Sequence, residues 1–109
     1  MSIRVYLPLT LSSLADAHRS GVVPTAAERF VAADEDEQSE YDALMAAADA
    51  SAGLLDGPGR RVVLVAEVAD ADGTISMDDV VACHVDLEDD ADPDDDLGWF
   101  ATQEIPDLL

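Results

Sequence analysis

At 109 residues the chain has the length of a single domain, able to bury roughly two thirds of the surface that its unfolded form exposes. An apolar fraction of 49% excludes wholesale disorder, although 25 acids against 5 bases leave a net charge of −20. That charge argues against direct binding to nucleic acid phosphates or to an anionic membrane surface, and no stretch reaches the roughly 18–20 apolar residues of a membrane span.

The N-terminal run MSIRVYLPLTL opens a strand in which Ile3, Val5 and Leu7 alternate with Arg4 and Tyr6, and Pro8 is expected to end it. Thr10 is a helix N-cap, with Leu9 and Leu14 at the spacing of a hydrophobic staple. Arg19 suits the last turn and Gly21 the position just past the end, so a helix is predicted over about 11–20. Arg29 to Ala32 fits a short second strand. Asp34 with Glu37 three residues on reads as a capping box for a long helix over about 36–55, ended by the DGPG sequence at 56–59. Its core stripe is read as Tyr41, Leu44, Met45, Ala48, Ala52 and Leu55.

Residues 60–69 (RRVVLVAEVA) form a nearly unbroken β-branched run, the pattern of a central strand covered on both faces. In the return leg, Val80 to Leu87, the two-residue period puts Val81, Cys83, Val85 and Leu87 on the core face. Val80, Ala82, His84 and Asp86 fall on a wetter face, so Cys83 and His84 point opposite ways. The run from Asp86 to Asp96 then holds eight acids and no base, and reads as a solvated, mobile acidic loop (86–96). Leu97 to Ala101 fits a short strand carrying the only tryptophan, Trp99, which is expected to be buried. Pro106 limits the TQEIPDLL end to a single turn and a tail. The predicted fold is a single α+β domain over residues 1–109. It is a two-layer sandwich with a mixed sheet and two helices on one face, related in spirit to ferredoxin-like folds but without their strand order.

The segments IRVYLPLTLSSLADAH, EYDALMAAADAS, RRVVLVAEV, VVACHVDL and WFATQEIPDLL together resemble a family of uncharacterised actinobacterial proteins. The last of these is the most specific. The resemblance implies an actinobacterial cytosolic protein and carries no catalytic residue across. Relatives have a longer helical segment between their last two strands, where this chain has only the acidic run near 88–96. Separately, amino-acid usage points to a GC-rich genome: all five basic residues are arginine, and lysine and asparagine are absent.

Two constellations carry candidate chemistry. Asp70, Asp72, Gly73, Ile75, Ser76 and Asp79 match positions 3, 5, 6, 8, 9 and 12 of an EF-hand loop, which makes Asp70, Asp72, Ser76 and Asp79 candidate Ca2+ ligands. Val68 at the first position has no side-chain oxygen, the last ligand is Asp79 rather than Glu, and a strand precedes the loop instead of a helix. A plain turn shaped by Asp and Gly is the competing reading. Secondly, Arg4 and Tyr6 share one strand face, His84 and Asp86 another, and Glu67 stands near the end of the central strand. If these faces coincide they form a sheet-face ligand or partner site. No phosphate loop, nucleophile elbow or paired cysteines are present, and a lone Cys83 on the core side reads as an inert thiol.

No catalytic residue, cofactor or metal other than Ca2+ is assigned. The expected role is a cytoplasmic, non-enzymatic module that binds or regulates another protein, one of basic character, with a homo-oligomer as a further option. A Ca2+-binding module, and an acidic nucleic-acid mimic that occupies a basic protein, are the alternatives.

Overall fold

The computed structural model describes residues 2–23 and 28–109. Five strands form one open sheet in the order β2-β1-β3-β4-β5. They are β1 (Ile3–Leu9), β2 (Phe30–Val31), β3 (Val62–Val68), β4 (Val80–Val85) and β5 (Gly98–Phe100). The helices are α1 (Leu11–Ser20), α2 (Glu37–Gly53) and the short α3 (Ile105–Leu108). The weakly patterned segment near Arg29 does hold a strand, although residues 24–27 of the same stretch lie outside the described residues.

The α+β class is as read from the sequence, and β3 is the central strand, with Val62–Ala66 and Val68 all buried. The sheet is antiparallel throughout rather than mixed. β2 and β3 run the same way, joined by a crossover through α2, but β1 lies between them, so every hydrogen-bonded pair is antiparallel. Side chains alternate along each strand and divide the core in two. On one side Val5, Leu7, Leu64 and Cys83 join Leu14 of α1 and Ile105 of α3. On the other, Tyr6, Val63, Val65 and Ala82 meet Ala43, Ala47 and Ala48 of α2. Two helices thus share a face, but they are α1 and α3; the long helix covers the opposite one.

Local rules explain most boundaries. Thr10 caps α1 by accepting from the Ser13 N–H at 3.1 Å, and the Ser13 hydroxyl accepts from the Thr10 N–H at 2.9 Å. Gly21 follows at φ 81°, where a side chain would be strained. The cap of α2 is Asp36, not Asp34: its carboxylate accepts from the Ser39 N–H at 2.7 Å. Pro8 does not end β1, which continues to Leu9 opposite Val62. It is tolerated because β2 pairs only with Val5 and Tyr6, leaving β1 an edge on that side at Pro8.

Two face assignments change. In α2 the buried positions are Ala43, Ala47, Ala48 and Ser51, so the helix is rotated from the expected stripe and Tyr41 stands exposed. Small residues let the helix lie close on the valine-rich strand, and Ser51 reaches the ladder itself. Its hydroxyl donates to the Leu9 carbonyl at 2.6 Å and accepts from the Val62 N–H at 2.8 Å. In β4 a bulge intervenes: Ala66 pairs with Val80 and Val65 with Ala82. The extra residue turns Val80 into the core with Cys83 and Val85, and Val81 outward. Leu87 lies beyond the strand and is exposed.

Candidate functional site

The α2 face of the sheet carries a groove of about 380 Å³. Pairing builds its floor. Tyr6, Val65 and Ala82 stand opposite one another on β1, β3 and β4, and Val63, His84 and Trp99 form the next row on β3, β4 and β5. The helix α2 lies over β2, β1 and β3 and stops short of β4 and β5. The uncovered end of the face therefore presents Trp99 at 61% exposure, Tyr41 at 43% and Val81 at 40%, beside a half-buried His84. Trp99 was expected in the core. It stays out of the core because β5 is a terminal strand and its indole lies at the end of the α2 face that the helix leaves open, while its neighbour Phe100 packs on the opposite face.

Of the sheet-face candidates, Arg4, Tyr6 and His84 line this one groove, together with Glu40, Tyr41 and Trp99. Glu67 pairs across the strands with Arg4. Arg4 is held from two sides, by Glu40 at 3.1 Å and Glu67 at 3.5 Å. Burial raises the Tyr6 phenol, the Glu40 charge adds to this and the Arg4 guanidinium opposes it, so Tyr6 is a neutral hydroxyl at physiological pH. Burial holds the His84 imidazole below its ordinary value, so it too is neutral. A cation already answered by two carboxylates is poorly set to take an anion.

Asp86 is not in this set. It is buried with Arg61, at 3% and 4% exposure. The guanidinium grips it with two nitrogens, Nε to Oδ2 at 2.9 Å and Nη2 to Oδ1 at 2.8 Å, and the Arg61 backbone N–H adds a third bond at 2.9 Å. The same guanidinium donates to the carbonyls of Asp92, Pro93 and Asp95 at 3.2, 3.1 and 2.9 Å. The acidic run is thus pinned by its backbone, where a free loop was expected. Three of its carbonyl oxygens turn to Arg61, and its acids beyond Asp86 are exposed. Arg60 to Asp89 and Tyr41 to Asp96 tie it further.

The EF-hand-like stretch is a turn leading into a 3₁₀ turn at Met77–Asp79. Three of the four candidate ligands, Asp70, Ser76 and Asp79, accept hydrogen bonds from the protein. Asp70 accepts from the Asp72 N–H at 2.9 Å, Asp79 from the Ser76 N–H at 3.2 Å, and the Ser76 hydroxyl from the Asp78 N–H at 3.1 Å. The Arg29 guanidinium donates to the Ala71 and Gly73 carbonyls, so a fixed cation already holds the loop's main-chain oxygens. Ile75 is a core anchor, because Val22 bridges Ser76 and the Val23 N–H bonds the Ile75 carbonyl. Among the described residues no three His, Cys, Asp or Glu side chains are grouped to hold a metal. Nor is any helix among them long and apolar enough to cross a membrane.

A protein-family model matches residues 3–94. The chain belongs to that family, a family of unknown function (DUF6912). No curated protein and no solved structure matches the chain. The matched region takes in β1 to β4 and most of the acidic run, and ends before β5. Trp99 and the WFATQEIPDLL end therefore lie outside it.

Trp99, Tyr41, Val81 and Glu40, members of the groove, and Arg61, the anchor of the acidic run, are not among the sequence-predicted site residues. A signal for Trp99 was present: Trp99 and Phe100 are adjacent in a strand, so only one of them can face a given side. For Arg61 the signal was its position at the head of a buried strand, where a charge must find a partner. Nothing in a strand period announces the bulge that exposes Val81.

Proposed function

We propose that the protein is a non-catalytic, cytoplasmic module, of actinobacterial origin, that binds another protein through the open β4–β5 end of its sheet. The carrying observation is the exposure of the single tryptophan in the terminal strand, in one groove with Tyr41 and Val81. Large aromatic side chains cost little entropy to order and are the groups on which binding energy concentrates. A partner covering this ledge would also bury the half-exposed His84. Arg4, already shared between Glu40 and Glu67, is not free to hold an anionic substrate, which favours binding over catalysis at the same place.

The test is retention of a partner from a host-cell extract on immobilised protein, comparing the natural chain with the double variant Trp99→Ala, Val81→Arg. Both positions are exposed, so the variant should keep the circular dichroism and melting of the parent. A protein retained by the parent and lost from the variant supports the reading. An identical retained set on both would end it.

A further inference from the structure

Resting on that reading, we infer that the partner segment seated on the ledge is basic and extended, with an arginine side chain stacked on the Trp99 indole. Three observations lead there. The uncovered apolar area is aromatic, and an indole face attracts a guanidinium both by its quadrupole and by planar stacking. Its rim is acidic: Glu40 lines the groove, Asp96 bonds the Tyr41 hydroxyl at 2.9 Å, and Asp42 and Asp94 act on the same phenol. The one cation in the groove, Arg4, is already shared between Glu40 and Glu67, which leaves the cluster negative. Finally, β5 is the terminal strand, so an extended segment can run beside it and place one of its side chains against Trp99.

Charge decides against the obvious competitor, a second copy of this chain. Each copy carries −20, and pairing two such surfaces face to face brings like charges together. A cationic segment gains from the same field in encounter rate and in register.

The probe is a capped hexapeptide of alternating valine and arginine, with a twin in which citrulline replaces each arginine, keeping its shape without its charge. Because Trp99 is the only tryptophan, its fluorescence reports occupancy of this ledge and of no other surface. The arginine peptide should change that fluorescence saturably. By calorimetry the citrulline twin should bind about tenfold or more weakly, and Trp99→Ala should weaken the arginine peptide by a similar factor. Val81→Arg, which adds a positive charge to the ledge, should weaken it as well. Equal binding of the arginine peptide to parent and Trp99→Ala would mean diffuse attraction to an acidic surface and overturns the inference. So does equal binding of the two peptides, or no binding at all. If the peptides fail but a natural partner is still lost on Trp99→Ala, Val81→Arg, the ledge remains a docking surface and only its basic occupant is refuted.

Discussion

Arg61 shows how one side chain organises an otherwise repulsive segment. Eight acids between Asp86 and Asp96 repel one another, yet five hydrogen bonds from the Arg61 guanidinium hold Asp86 and three carbonyls of the run. Removing one partner of a buried pair leaves the other charge uncompensated. Arg61→Met should therefore cost about 3–5 kcal/mol in urea unfolding and speed amide exchange over residues 88–96, while Arg61→Met with Asp86→Leu should recover much of the loss. A single variant as stable as the parent would show that the pair contributes nothing. His84 makes a pH prediction. Burial depresses its folded pKa below the ordinary 6.5, so on acidification the unfolded chain takes up the proton first. Stability should fall as pH drops from about 6.5 toward the lower folded value, and then level off for this group. His84→Gln should flatten that part of the profile; urea midpoints at several pH values that fall equally for both chains would contradict it. Cys83, by contrast, is an inert core thiol, its pKa pushed up to about 12 by burial.

Among the elements, α2 and the β1–β3 ladder are joined more closely than apolar packing requires. The Ser51 hydroxyl stands between the Leu9 carbonyl and the Val62 N–H, replacing a direct ladder bond at the sheet's end. Ser51→Ala would leave two buried backbone groups without a partner, at about 1–3 kcal/mol for each. Thermal unfolding should show the loss, and Ser51→Thr should restore part of it if the added methyl fits; an unchanged melting temperature would mean that the two strands close the gap by themselves. Serine in the last turn of an alanine-rich helix looks like a neutral surface residue, because helical spacing says which face it is on but not what that face meets. The same limit misplaced the stripe of α2. Alanines score weakly as core residues next to Tyr41 and Leu44, yet only small side chains let the helix sit against Val63 and Val65. The Val65/Ala66 bulge is a further case, since one extra residue inverts Val80 and Val81 without leaving a mark in the local pattern.

For the whole molecule, charge is the governing quantity. A net −20 spread over 109 residues opposes compaction at long range, and salt screens this over a Debye length of about 10 Å at 0.1 M. Raising NaCl from about 0.02 M to about 0.5 M should therefore raise the melting temperature by several degrees, with the gain levelling off as the screening length falls below the spacing of the surface acids. A melting temperature indifferent to salt would show that the carboxylates are spaced or paired well enough not to strain the fold. The same field favours a cationic partner at the Trp99 ledge.

Composition, strand period and capping residues were enough to place β1, α1, β3 and β4 and to put the valine-rich strand at the centre, because each rests on interactions between residues near in sequence. They also set Cys83 and His84 on opposite faces. Which strand lies beside which, the rotation of α2, the exposure of Trp99 and the capture of the acidic run by Arg61 depend on groups from different elements, such as His84 with Trp99 and Arg61 with Asp86. Pairing of that kind is chosen by how surfaces meet and by which charges find partners away from water, and no window along the chain contains both halves of it.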